Sequence, residues 1–140
     1  MILAFAMENL PWVVMASLAS SGLAWTFARD NAQTVDTGEA VLLVNREKGV
    51  VVDLRSAADF AKGKISQSRN IPAVELKKRT ADIERYRERP VILVCQQGPV
   101  ARRHVRDLTA QGFSHVKALQ GGMDAWLRAQ LPVLGKNKEG

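Results

Sequence analysis

With 140 residues the chain has room for one domain and an appendage, and its single cysteine excludes an internal disulfide. Twenty Lys and Arg against 14 Asp and Glu leave a net charge of +6. The acidic residues are interspersed and no aromatic-basic motif occurs, so nucleic acid is not an expected partner; attraction to the anionic face of a membrane is the simpler account.

The appendage comes first. From Leu10 to Ala28 the sequence LPWVVMASLASSGLAWTFA carries no charged side chain. As a helix, its nineteen residues at about 1.5 Å rise nearly match a hydrocarbon core of roughly 30 Å. Trp12 and Trp25 stand near the two ends, where amphipathic rings favour the headgroup level. A signal peptide would want Lys or Arg ahead of the apolar stretch, and only Glu8 is charged there. A core helix apolar around most of its circumference would be unusual in so small a domain. The expectation is therefore a single-pass membrane anchor within an N-terminal segment 1–28. Ala16, Ser20 and Ala24 lie four apart, a spacing that permits close packing against a membrane-protein partner. Every Lys and Arg follows the span, so the positive-inside rule predicts the bacterial inner membrane with the C-terminal domain in the cytoplasm. A cytoplasmic thiol stays reduced, in keeping with the lone cysteine.

A polar run, Arg29 to Thr37, reads as a linker, with a domain over 38–134 and a patternless tail over 135–140. Asp36 followed by Glu39 predicts a capped helix reaching about Arg46. After a Lys48-Gly49 turn, Val50 to Leu54 is a β-branched run apolar on both faces, as in a buried parallel strand. A helix over Ala57 to Lys62 stops at Gly63, Ile71-Pro72 is extended, and two short helical pieces cover Val74–Lys78 and Thr80–Tyr86. Pro90 opens a second buried strand, Val91 to Cys95. Ala101, Val105 and Leu108 then repeat at helical spacing up to Gly112. His115–Leu119 is a third strand, Gly121-Gly122 a turn, and Met123–Gln130 a last helix before Pro132. Strands alternating with helices predict an α/β fold with a mainly parallel sheet flanked by helices.

Cys95 ends a strand and precedes a helix by the loop QQGPV. A cysteine ending an apolar run is by default a buried, inert thiol. This setting differs, because ligands of open α/β sheets bind beyond the carboxyl ends of strands. A loop entering a helix also presents N–H groups and the positive end of the dipole, which favours a sulfur anion. Arg102 and Arg103 in the first helical turn oppose that dipole unless an anion rests nearby.

Four stretches carry a further signal: VVDLR from Val51, FAKGKISQSRNIP from Phe60, CQQG from Cys95, and LTAQGFSHVKALQGGMDAW from Leu108. In order and spacing they resemble the rhodanese domain, with its D-x-R strand end, its F-x-x-G-H-I-x-G-A-x-N-I-P segment, its C-x-x-G loop and its L-x-x-x-G-F-x-x-V-x-x-L-x-G-G-x-x-x-W finish. The resemblance covers roughly Thr37 to Leu134, and with the N-terminal segment the layout looks like the membrane-anchored single-domain rhodaneses of bacterial inner membranes. It implies a rhodanese-type sulfurtransferase in which Cys95 takes sulfur from a small donor as a persulfide and passes it to a thiol or protein acceptor. The N–H groups of Gln96, Gln97, Gly98, Val100 and Ala101 would stabilise the anionic sulfur. No cofactor or metal is implied.

The departures bear on the donor. Val100 and Ala101 stand where the family often has Arg or Ser, then Ser or Thr; Lys64 replaces His, Gln67 and Ser68 replace Gly-Ala, and Pro99 supplies no N–H. Thiosulfate, a dianion, would want the missing Arg, a place that Arg102 fills only by folding back over the loop. Asp53 and Arg55 are expected to brace strand and loop ends, Trp126 to lie in the core, and His104 to face solvent. Two other readings compete: a rhodanese-fold interaction module with decayed chemistry, and a phosphatase. The latter needs C-x5-R, and Arg102 comes one residue late.

Overall fold

The computed structural model describes residues 2–135; the tail from Lys136 on, expected to be patternless, lies outside the described residues. The chain divides into two compact units, one up to Ala32 and one from Gln33 on.

The first unit holds helix α1 (Ile2–Glu8) and nearly all of α2 (Leu10–Gln33). Here the expected membrane anchor is overturned. Among the described residues no helix is long and apolar enough to cross a membrane. With 24 residues α2 has the length, so apolarity is what fails. Ser17, Ser20, Ser21 and Gly22 dilute the Leu, Val and Trp side chains. The three hydroxyls donate back to the carbonyls of Val13, Ala16 and Ser17 within the helix. With no spanning helix among the described residues, the charge asymmetry has nothing to orient, and the inner-membrane, single-pass placement with a cytoplasmic domain falls with it.

The second unit is an α/β domain on a five-stranded sheet ordered β1-β5-β4-β2-β3. Its strands are β1 (Thr34–Val35), β2 (Val50–Asp53), β3 (Arg69–Asn70), β4 (Val91–Val94) and β5 (Val116–Leu119), and every pairing is parallel. Helices α3 (Thr37–Arg46), α4 (Ala57–Lys62) and α5 (Pro99–Ala110) and the 3₁₀ turns at Ala73–Glu75 and Thr80–Tyr86 connect them, and α6 (Gly122–Arg128) follows β5. The polar run expected to be a linker continues α2 to Gln33 and then forms β1, which adds to the sheet edge beside β5.

Local chemistry explains most boundaries. The Asp36 carboxylate accepts the Glu39 N–H at 2.8 Å, capping α3, and the Ser56 hydroxyl accepts the Asp59 N–H at 3.2 Å, capping α4. Gly63 ends α4 in extended backbone, φ −178°, so no left-handed cap is formed there.

The sheet is buried on both faces, and period-two alternation divides its side chains. Val52, Val91, Leu93, Val116 and Ala118 enter a cluster with Ala101, Val105 and Leu108 of α5. Val51, Ile92, Val94 and Leu119 enter another with Ala40 of α3 and with Met123 and Trp126 of α6. Trp126 is buried as expected, its indole N–H donating to the Pro132 carbonyl at 3.1 Å.

Candidate active site

Cys95 continues the alternation of β4. Val91 and Leu93 point to the α5 face, and so does Cys95, two residues further on. The strand thereby delivers the thiol to the start of α5, where it is buried at 6% exposure. The Gly98 N–H donates to Sγ at 2.9 Å and the Ala101 N–H at 3.5 Å. Sulfur thus occupies the N-terminal cap of α5, in place of the oxygen side chain that usually fills this role. Gly98 has φ +119° and ψ −36°, a backbone that closes the loop over the sulfur and that side-chain-bearing residues rarely adopt. Pro99 follows at the first helical position, where an N–H is not required.

Five N–H groups were expected around the sulfur; two donate to it. Among the described residues, those of Gln96, Gln97 and Val100 have no acceptor. Gln96 and Gln97 are exposed, and Val100 is half-buried with its side chain packed on the α5-side core. The cradle is therefore part filled by the thiol and part open to a further anionic atom.

A second wall holds the loop in place, where Gly121-Gly122 predicts only a turn. At the start of α6 the Met123 N–H donates to the Cys95 carbonyl at 2.9 Å and the Asp124 N–H to the Gln96 carbonyl at 3.1 Å. The Gln96 side-chain amide also reaches the Asp124 carboxylate. Because each peptide is planar and trans, these bonds turn the N–H groups of Gln96 and Gln97 away from α6. The turn must come close to do this. A Cβ on Gly122, φ +57°, would collide with the Cys95 carbonyl oxygen and stand 2.8 Å from the Gln96 carbonyl carbon.

Asp53 and Arg55 are joined side chain to side chain. The guanidinium grips both Asp53 oxygens at 2.8–3.1 Å and donates to the Gly63 carbonyl at 2.6 Å, tying the end of β2 to the end of α4. The carboxylate is 1% exposed and the arginine side chain 8%. Asn70 closes the arrangement by donating to the Asp53 and Arg55 carbonyls. Since Asp53 is in register with Val94, this brace lies beside the strand end that carries the cysteine.

Other candidates are not brought in. Arg102 is exposed and, like Arg103, has no ion pair or side-chain hydrogen bond among the described residues, so it does not fold back over the loop. His104 is half-buried rather than solvent-facing, with Nδ1 3.2 Å from the Asp107 carboxylate. A cleft of about 380 Å³ adjoins Gln96, lined also by Arg55, Asp59, Lys62, Met123, Leu127 and Val133.

The family model for the Rhodanese-like domain matches residues 36–129. The chain belongs to the rhodanese-like family. Among similar proteins, YibN of Escherichia coli (strain K12) is 36% identical over 103 residues, 73% of this chain and 72% of that one. A protein named Sulfurtransferase from Allochromatium vinosum is 30% identical over 92 residues, 66% of this chain and 84% of that one. A rhodanese-related crystal structure from Thermoplasma volcanium superposes with a TM-score of 0.63 at 25% identity, covering 73% of this chain and 97% of that one. At the level of the family, the chain is a rhodanese-like protein of sulfurtransferase type, and Cys95 with its two N–H donors is the candidate active site of this rhodanese.

Proposed function

We propose that this rhodanese carries sulfane sulfur as a persulfide on Cys95. The observation that supports the reading is the half-filled cradle: Sγ accepts two N–H groups while, among the described residues, those of Gln96, Gln97 and Val100 stand without an acceptor. Such donors are the partners an outer sulfur anion needs, preorganised at no cost at the moment of reaction.

The cycle is two sulfur-transfer displacements without net oxidation. The Cys95 thiolate attacks the outer sulfur of a donor; the donor's own bond to that sulfur breaks, and its remainder leaves with the electron pair. Cys95 then holds –S–S⁻. An acceptor thiolate attacks the outer sulfur, the S–S bond to Sγ breaks, and the Cys95 thiolate returns. Among the described residues the loop itself supplies no cation for the leaving group, because Val100 is apolar and Arg102 is exposed, and at the adjoining cleft Arg55 is already paired with Asp53. Donors that release a thiolate, such as low-molecular-weight thiol persulfides, are therefore favoured over thiosulfate, whose leaving group is sulfite.

The test is mass spectrometry of the full chain incubated with a thiol persulfide and, separately, with thiosulfate. One added sulfur atom is expected on the wild type and none on Cys95→Ser, with the persulfide loading faster. No addition from either donor would sink the enzyme reading and leave the fold as an interaction module.

A further inference from the structure

The strands have a second functional end. Val50, the first residue of β2, lines a cavity of about 440 Å³ together with Lys48, Gln67, Arg69, Tyr86 and Arg89. Among the described residues three cations line this cavity and no carboxylate does. The Arg69 and Arg89 guanidiniums lie 5.1 and 5.5 Å from the centroid of the same Tyr86 ring, and that of Arg85 lies 4.9 Å away. Tyr86 is buried, so the ring is a fixed platform, whereas the three arginines are exposed. None of Lys48, Arg69, Arg85 and Arg89 has an ion pair or a side-chain hydrogen bond among the described residues. Arg79 and Arg87 nearby behave in the ordinary way, each held by a carboxylate.

Gathering like charges around one ring is unfavourable unless an anion rests among them. Guanidinium forks suit tetrahedral oxyanions, to which each donates two parallel hydrogen bonds, and the cavity is larger than a bare oxyanion requires. We infer that this cavity binds the phosphoryl group of a phosphate ester, with Arg69 and Arg89 as the principal ligands and Lys48 as an outer one. The inference is independent of the persulfide reading. Cys95 follows the opposite end of β4, about 13 Å along strands whose residues rise about 3.3 Å each.

The decisive experiment titrates the full-length protein with inorganic phosphate against chloride at matched ionic strength, reading the melting midpoint. A saturable rise is expected for the wild type, since a ligand of the folded state stabilises it. Arg69→Gln/Arg89→Gln should need at least tenfold more phosphate for the same rise, while Arg46→Gln/Arg106→Gln, which removes equal charge elsewhere, should not. No saturable rise, or an equal loss in the second variant, overturns the site. Should the Arg69/Arg89 variant melt below the wild type in chloride, Lys48→Gln decides, because among the described residues Lys48 makes no cation–π contact with the ring: several-fold weaker binding supports the site and unaltered binding overturns it. Glycerol 3-phosphate and vesicles containing phosphatidic acid distinguish the source. Arginine-dependent binding to the vesicles assigns a lipid headgroup, a response to the free ester alone assigns a small metabolite, and neither overturns the inference.

Discussion

Gln67 holds a left-handed backbone, φ 61°, in the segment leading to β3. For a residue with a Cβ this conformation costs about 1–2 kcal/mol, and glycine adopts it freely while losing about 0.5–1 kcal/mol more chain entropy on folding. Gln67→Gly is therefore expected to stabilise the domain by about 0.5–1 kcal/mol, read as a higher urea midpoint at unchanged slope. An unchanged midpoint would mean that Gln67 side-chain contacts offset the strain. That glycine belongs at this position was legible from the rhodanese pattern, in which Gly precedes Ala here. The left-handed backbone was not, because it depends on how the Ile65–Asn70 stretch is pulled in to pair with β2. Cys95 is the opposite case. Its direction toward α5 follows from counting along VILVC, since alternation alone sends the first, third and fifth side chains to one face.

At the scale of elements, the site is a strand end clamped between two helix starts, and only one of them was visible in the sequence. The start of α5 could be read from Pro99 and from the apolar spacing behind it. The start of α6 read as a Gly-Gly turn, because its N–H groups bond to carbonyls some 28 residues earlier, a tertiary relation that leaves no local pattern. β1 went unread for a related reason: two residues within a polar run become a strand only when the edge of β5 is there to pair with. The clamp makes a sharp prediction when two glycines with positive φ are compared. Gly122→Ala forces a methyl group onto the Cys95 carbonyl, whereas Gly112→Ala meets the flexible end of Arg87, far along the chain from the loop. Both should lose stability, by about 2 kcal/mol where backbone strain of this kind is introduced. Only Gly122→Ala should also slow sulfur loading of Cys95, by tenfold or more, because it alone shifts the peptide planes that aim the loop. Equal loading rates at a temperature where both variants are folded would mean that the α6 clamp is not needed for the chemistry.

For the whole molecule, the residues before Gln33 and those after it answer to different physics. A charge-free run of bilayer length was legible at once, but length is only half of a membrane span, and the serines of α2 remove the other half. The rhodanese domain draws its buried apolar residues from Val35 to Trp126, with none contributed by the described part of α1 and α2. A fragment beginning at Gln33 should accordingly melt within a few degrees of the full chain and load sulfur within about twofold of its rate, a few degrees corresponding to less than about 1 kcal/mol for a domain of this size. A fragment beginning at Thr37, close to the start of the matched family region, should behave differently. It lacks β1, whose Val35 is 5% exposed, and burying a valine is worth about 1.5–3 kcal/mol. It also lacks the Asp36 cap of α3, worth about 1 kcal/mol, and it leaves the Gln120 N–H without the Val35 carbonyl that accepts it at 2.8 Å. The shorter fragment should therefore be less stable than the longer by about 3 kcal/mol in urea unfolding. If the two unfold alike, β1 is an ornament of the sheet edge; if they differ as expected, the working domain starts before the region, residues 36–129, that matches its family.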